Sequence, residues 1–121
     1  MDLHESGEMY LETILRLKER NEYVRSIDIA NEMNFSKPSV SRAIKLLKES
    51  GFIVVDSKGH IDFTDKGKQH AQNIYNRHQD FTKFLICMGV SHQQAEEDAC
   101  RLEHVISEET HQCIKKYLQK Q

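Results

Sequence analysis

The segment FSKPSVSRAIKLLKESGF at residues 35–52 constrains the fold more than any other part of the chain. Ser36 is a residue type that caps helix N-termini, and Pro38 is tolerated only in the first turn of a helix. Gly51 is typical of a helix end. The apolar residues between them fall at helical spacing, at Val40, Ile44 and Leu47. The segment therefore predicts an amphipathic helix with a defined start and end.

The segments on either side of this helix predict two further helices and a hairpin. Residues 8–20 have the apolar spacing of a helix, and Ser26 can cap a short helix that ends near Asn34. The stretch FIVVDSKGHIDFT predicts two short strands around a turn at Ser57–His60. Helix, short turn, helix and hairpin in this order outline a winged helix-turn-helix, in which the second paired helix enters the major groove of DNA.

The first turns of that second paired helix supply the predicted DNA contacts. Arg42 can reach a guanine edge or a phosphate, and the serines suit phosphate oxygens. The net charge of the chain is −2, but residues 36–58 carry a local charge of +3, which favours phosphate contact. The alternative is an ordinary solvated helix face. The predicted DNA-binding residues are Ser36, Lys37, Pro38, Ser39, Ser41, Arg42 and Lys45.

The second half of the chain predicts three helices. Residues 71–88 carry a helical seam of buried positions that includes His78, and Ser91 with Gln94 forms a capping box for the next helix. A last helix is expected from Glu108 to about Leu118, with Ser107 as its N-terminal cap. Three helices after a DNA-binding module are typical of a dimerisation unit. The predicted fold is mainly α, with a winged helix-turn-helix domain at 1–64 and a helical dimerisation domain at 65–121.

A group of potential metal ligands lies in the sequence DACRLEH at residues 98–104. On a helix from 92 to 106, its thiol, carboxylate and imidazole would share the face that borders the core. The alternative to a metal site is that these are ordinary helix residues that happen to be neighbours, because short combinations of this kind arise by chance. Together these groups offer N, O and S donors for one transition metal. The candidate ligands across the chain are Met9, Glu12, His78, Glu96, Cys100, Glu103 and His104.

The remaining cysteines and histidines are assigned no site. We expect Cys87 in the core and Cys113 as an ordinary helix residue, with three reduced thiols rather than disulfides. The acidic N-terminus lacks a signal-peptide core, and no apolar run spans a membrane, so a cytoplasmic protein is expected. The histidines expected at the surface are His4, His60, His70, His92 and His111.

Three stretches resemble the diphtheria-toxin-repressor family of metal-dependent bacterial repressors, which includes iron-dependent and manganese-transport regulators. They are EMYLETI at 8–14, the helix FSKPSVSRAIKLLKESG, and DACRLEHVISEE at 98–109. The resemblance covers essentially the whole chain. It implies a homodimer that a divalent metal activates to bind operator DNA and repress metal-uptake genes. Because the chain stops after the dimerisation helices, we expect the short form that lacks an SH3-like domain.

The resemblance also implies roles for individual residues. One metal site, as in the iron-dependent branch, takes its ligands from Met9, Cys100, Glu103 and His104. His78 aligns with a histidine of a second site. Thr82 and Glu96, however, stand where the iron branch has a glutamate and a histidine, whereas Glu12 matches a glutamate ligand of the manganese branch. The second site is therefore either absent or rebuilt from Glu12, His78 and the Cys100/Glu103 face.

The donor set predicts the metal. A thioether and a thiolate suit Fe(II) better than Mn(II), which prefers oxygen and imidazole. We therefore predict Fe(II) as the physiological metal and expect Mn(II), Co(II), Ni(II) and Zn(II) to bind as well. A manganese-responsive regulator and a metal-independent regulator with an organic ligand are the alternatives. A small metalloenzyme needs an open coordination position and a substrate pocket, for which little chain remains, so no enzymatic activity is predicted.

Overall fold

The computed structural model describes residues 5–120. The chain divides into two compact units, the first ending at Gln72 and the second beginning at Asn73. The described residues form six helices and a two-stranded sheet in the order α1 Glu5–Arg20, α2 Ser26–Met33, α3 Lys37–Glu49, β1 Ile53–Val55, β2 Ile61–Phe63, α4 Asp65–Cys87, α5 His92–Leu102 and α6 Glu108–Gln119. The mainly α fold class predicted from the sequence is confirmed.

A tight turn joins α2 to α3 in the first unit. Asn34 ends α2 in the left-handed conformation, with φ 57°, and the backbone N–H of Phe35 donates to the carbonyl oxygen of Ala30 at 3.1 Å. The backbone N–H of Asn34 donates to the same oxygen, so two bonds to Ala30 close the end of the helix before the turn. Ser36 then caps α3, and Pro38 lies in its first turn, as the sequence predicts. At α2 the prediction is one residue off, because the cap is Arg25 and Ser26 is already helical.

The two strands form the predicted hairpin. They pair antiparallel, with Ile53 opposite Phe63 and Val55 opposite Ile61. The N–H of Ile61 also donates to the carbonyl oxygen of Val24 at 2.7 Å, which ties the hairpin to the segment before α2. The side chains buried in the core of this unit are Tyr10, Leu11, Ile14, Leu17, Val24, Ile29, Ala30, Val40, Ile44, Leu47, Phe52, Ile53, Ile61 and Ala71.

A close backbone approach fixes the start of α4 against the hairpin. A Cβ atom at Gly67 would lie 1.8 Å from the carbonyl oxygen of Phe52, so only glycine fits there. The side-chain oxygen of Thr64 accepts from the N–H of Gly67 at 3.1 Å and donates to the carbonyl oxygen of Gly51 at 2.6 Å. This threonine therefore caps α4 and links it to the end of α3.

The second unit consists of the rest of α4 with α5 and α6. Ser91 and Ser107 cap α5 and α6, as the sequence predicts for both helices. The prediction of a helix that continues to residue 106 is wrong, because α5 ends at Leu102 and Glu103 is its C-cap. The side chains at the centre of this unit are Ile74, Phe81, Ala95, Ala99, Glu103 and His111.

Three further expectations in the second unit are wrong. Cys87 is exposed rather than in the core, and Met88, expected in the buried seam, is 66% exposed. Met88 is exposed because α4 ends at Cys87, so the helical periodicity of the seam does not extend to Met88. His111, expected at the surface, is only 4% exposed. Its Nε2 atom lies 2.8 Å from the carboxylate of Asp80, a partner on α4 that sequence spacing does not reveal.

No helix within residues 5–120 has both the length and the apolar character needed to cross a membrane.

Candidate DNA-binding face and metal-binding groups

The predicted DNA-binding residues lie along the solvent side of α3. Val40, Ile44 and Leu47 face the core, and with 3.6 residues per turn the intervening positions must face outward. Ser39 is half-buried. The residues of the predicted set that are exposed are Ser36, Lys37, Pro38, Ser41, Arg42 and Lys45. The helix therefore presents three cations in its first three turns with no acidic side chain before Glu49.

The two serines at the start of α3 bond to each other. Ser36 Oγ accepts from the backbone N–H of Ser39 at 3.3 Å and donates to Ser39 Oγ at 2.8 Å. In this arrangement Ser36 acts as the helix cap. Ser39 Oγ accepts from Ser36, so its own hydroxyl hydrogen can be directed at a phosphate oxygen.

The hairpin adds a further cation, Lys58, which sequence reasoning counted in the local charge but did not assign to the site. Lys58 is exposed in the loop between β1 and β2. Asp56 shapes this loop, because its carboxylate accepts from the backbone N–H groups of His60 and Lys58, each at 2.8 Å. These hydrogen bonds lower the pKa of Asp56, and the bond from the backbone N–H of His60 has the largest effect. The ring of His60 also stacks on Tyr23 with centroids 4.2 Å apart.

A buried carboxylate between two imidazoles is the central feature of the second unit. Glu103 Oε2 lies 2.7 Å from Nδ1 of His78 on α4. Glu103 Oε1 lies 3.2 Å from Nε2 of the adjacent His104. The side chains of Glu103 and His104 are fully buried, and that of His78 is 13% exposed. Burial of a carboxylate is costly unless hydrogen bonds or a cation compensate it, so this arrangement requires polar partners.

The spacing of these atoms fits a divalent metal. Two ligand atoms about 2.0–2.2 Å from one ion, at tetrahedral or octahedral angles, lie roughly 2.9–3.5 Å apart. The 3.2 Å between Glu103 Oε1 and His104 Nε2 falls in this range. The other carboxylate oxygen accepts from His78 if Nδ1 carries the proton, and such a hydrogen bond orients a ligating carboxylate. Carboxylate oxygen and imidazole nitrogen are ligand types that transition metals accept.

The other predicted ligands are distributed over both units. On α5, Glu96 and Cys100 are exposed beside the buried Ala95 and Ala99. On α1, Met9 is half-buried, and Glu12, only 6% exposed, pairs with Arg16 at 2.5 Å. Of the predicted set, the second unit therefore brings His78, Glu103 and His104 together, and the ligand roles of the other four stay predictions.

Sequence reasoning missed Arg77, which precedes His78 on α4. Its Nη2 atom donates to the carbonyl oxygen of Ile106, in the turn that carries Glu103 and His104. No spacing rule could have found this contact, because it joins residues 29 positions apart in the chain.

Comparison with known proteins matches both parts of the chain to family models. Residues 2–61 match the iron-dependent repressor N-terminal DNA-binding domain. Residues 64–121 match the iron-dependent repressor metal-binding and dimerisation domain. With the helix–turn–helix, the hairpin and the buried carboxylate, these matches define a winged-helix transcription regulator with a metal-binding module.

The chain resembles individual regulators along almost its whole length. It is 31% identical over 120 residues to the HTH-type transcriptional regulator MJ0568 of Methanocaldococcus jannaschii, covering 98% of this chain and 96% of that protein. It is 30% identical over 118 residues to the iron-dependent repressor IdeR of Mycobacterium leprae, covering 97% of this chain but 51% of the repressor. The structure of the manganese regulator SloR matches with a TM-score of 0.82 and 29% identity, over 98% of this chain and 55% of that one.

The chain belongs to the diphtheria-toxin-repressor family of metal-dependent transcriptional repressors, which confirms the predicted family. Members of this family are transcriptional regulators rather than enzymes. The chain spans about half the length of IdeR and of SloR. The names of these relatives include both iron and manganese. Family membership therefore identifies the chain as a metal-dependent repressor but does not identify the metal.

Proposed function

We propose that the chain forms a cytoplasmic homodimer that binds operator DNA when a divalent metal is bound and represses metal-uptake genes, with Fe(II) as the physiological metal. The observation that carries the proposal is the buried Glu103 carboxylate, placed between His78 and His104. It lies in the part of the chain that matches a metal-binding and dimerisation domain.

Within the second unit, Glu103 and His104 are the proposed metal ligands and His78 orients the carboxylate. A bound divalent ion supplies positive charge that offsets the burial of this carboxylate and fixes the positions of its ligands. Metal binding also releases protons wherever a ligand must lose one, so affinity is expected to rise with pH. The family resemblance supports further ligands, which are proposed to be Met9, Glu12, Glu96 and Cys100. The metal affinity after substitution of each residue tests whether it binds the metal.

The proposed operator contacts come from α3. Lys37, Arg42 and Lys45 are exposed cations, and each phosphate that a cation neutralises contributes to affinity by releasing counterions. Ser39 and Ser41 suit phosphate contacts, while Arg42 can also reach a guanine. A homodimer would present two copies of α3, which requires half-sites spaced by about 34–36 Å or a multiple of it.

The choice of Fe(II) depends on the sulfur ligands. If Cys100 and Met9 bind the metal, their thiolate and thioether favour softer ions over Mn(II). A manganese-responsive regulator is the second candidate, favoured by a specific observation: the groups that lie together in the second unit offer oxygen and imidazole nitrogen, the donors that Mn(II) prefers. A comparison of the two metals under the same anaerobic conditions distinguishes the candidates.

The test is a DNA-binding titration with the full chain. Duplexes are first selected from a random pool with Co(II)-loaded protein, and the best sequence is labelled for fluorescence anisotropy. Anaerobic titrations with Fe(II), Mn(II) or a chelator then give three affinities. We expect the metals to raise the affinity about 5–150-fold, the range of typical allosteric coupling, with Fe(II) effective at the lower free concentration. Equal affinity in all three conditions would favour the metal-independent regulator and overturn the proposal.

A further inference from the structure

The turn at residues 103–107 connects α5 to α6 and carries both proposed ligands. Within the turn, the N–H groups of Val105 and Ile106 both donate to the carbonyl oxygen of Leu102, each at 3.1 Å. These bonds hold the turn to the end of α5. Because Glu103 must meet His78, which is on α4, the position of the turn relative to α4 decides whether the carboxylate and the imidazole lie within hydrogen-bonding distance.

Arg77 is the side chain of α4 that fastens this turn. Its Nη2 atom donates to the carbonyl oxygen of Ile106, and its Nη1 atom lies 3.7 Å from Oε2 of Glu108 in the first turn of α6. One guanidinium group therefore reaches the end of the turn and the start of the next helix. The neighbouring residue on α4, His78, contacts the beginning of the same turn through Glu103.

The contacts of Arg77 differ in what they contribute to stability, and its guanidinium carbon also lies 5.9 Å from the centroid of the Phe81 ring. Its side chain is only 18% exposed, and among the described residues its buried Nε atom has no hydrogen-bond partner. A buried charged group with an unsatisfied donor costs free energy. The ion pair with Glu108 contributes little free energy to stability, because the Glu108 side chain is 67% exposed and water screens the charges. What the arginine does provide is a rigid planar fork that fixes the turn.

We infer that Arg77 is a positioning residue that sets metal affinity by holding the 103–107 turn against α4, so that Glu103 and His104 are already in place when a metal arrives. The inference rests on the proposed metal-binding function. A ligand pair that is positioned in advance binds its ion more tightly, because less ordering occurs during binding. Loss of a supporting contact around a metal site typically lowers metal affinity about 10–100-fold.

The test compares Arg77→Met, Arg77→Lys and the matched control Lys83→Met, which removes a cation from an exposed position on the same helix. Co(II) affinity is measured by absorption spectroscopy, and amide hydrogen exchange of residues 103–107 is measured in the metal-free protein. We expect R77M to bind Co(II) about 10–100-fold more weakly and to exchange faster in the turn. R77K, which retains one donor for Ile106, should fall between R77M and the wild type, and K83M should match the wild type.

The outcomes separate the inference from the proposed function. If the wild type binds no metal, the proposed function fails and this inference with it. If the wild type binds Co(II) and R77M binds it equally well, the inference is overturned while the proposed function stands. If thermal unfolding shows that R77M does not fold, the Co(II) affinity and amide exchange of R77K are used in its place. A several-fold loss of affinity with faster exchange in the turn then supports the inference, and values equal to those of the wild type contradict it.

Discussion

Glu103 Oε2 lies 2.7 Å from Nδ1 of His78, so a residue at the end of α5 is joined to the middle of α4 by a partly buried hydrogen bond. The same carboxylate reaches His104 with its other oxygen. A carboxylate that is oriented by a hydrogen bond from one side chain and lies beside a second possible ligand is a common arrangement at protein metal sites.

Replacing the carboxylate of Glu103 should remove most of the metal response. Glu103→Gln keeps the size of the side chain but loses the charge that attracts a cation. We expect Co(II) affinity to fall about 10–100-fold or more, whereas DNA binding in the presence of chelator is unchanged. The control is Glu97→Gln, an exposed acid on α5. Absorption titrations measure the affinities, and equal values for E103Q and E97Q would remove Glu103 from the site.

Cys100 should decide the preference between softer and harder metals. Cys100→Asp replaces a thiolate with a carboxylate, and oxygen ligands suit Mn(II). We expect the ratio of Co(II) to Mn(II) affinity to drop at least about tenfold in C100D. Cys113→Asp is the matched control, since Cys113 is also an exposed thiol. An unchanged ratio in C100D would show that the thiol does not bind the metal, and the choice of Fe(II) would lose its basis.

The exposed face of α3 should carry the operator contacts. Arg42→Ala removes a cation from this face without touching the second unit. We expect weaker DNA binding and a decrease of about 1 in the slope of log affinity against log salt concentration, with unchanged metal affinity. Lys68→Ala, at an exposed position on α4, serves as the control. A slope that stays the same in R42A and falls in K68A would place the DNA on another surface.

Gly67 should be intolerant of any side chain. In Gly67→Ala the added Cβ would meet the carbonyl oxygen of Phe52 at 1.8 Å, so the backbone must move. We expect the free energy of unfolding to fall by about 1–3 kcal/mol or more, as measured by urea denaturation. The exposed neighbour Gln69 provides the control, since Gln69→Ala should change stability by less than about 0.5 kcal/mol. Equal stability of both variants would contradict the close packing of α4 on the hairpin.

The winged helix could be predicted in detail because its signals are local. Ser36 and Pro38 mark the start of α3 by their own chemistry, and Gly51 follows its end. Apolar spacing then determines which side of α3 is buried, and the exposed cations follow without further information. The hairpin was predicted for the same reason, since a short loop of turn residues separates two apolar runs.

The metal-binding groups could be predicted only in part. Residue type and spacing pointed to Glu103 and His104, and the position of His78 in an apolar seam marked it as unusual. The spacing places Cys100, Glu103 and His104 on one continuous helix to residue 106, whereas α5 ends at Leu102. The bonds that position these groups come from Arg77 and from the His78–Glu103 pair, which are tertiary contacts between distant residues. No local pattern encodes them.

The most direct test of the proposed metal site is anomalous X-ray scattering from crystals soaked anaerobically in Co(II), with data collected on both sides of the cobalt absorption edge. We predict an anomalous peak within about 2.0–2.3 Å of Glu103 Oε1 and His104 Nε2. The peak should be absent from E103Q crystals soaked in the same way. Strong anomalous density elsewhere in the wild-type protein, with none beside Glu103 and His104, would contradict the site.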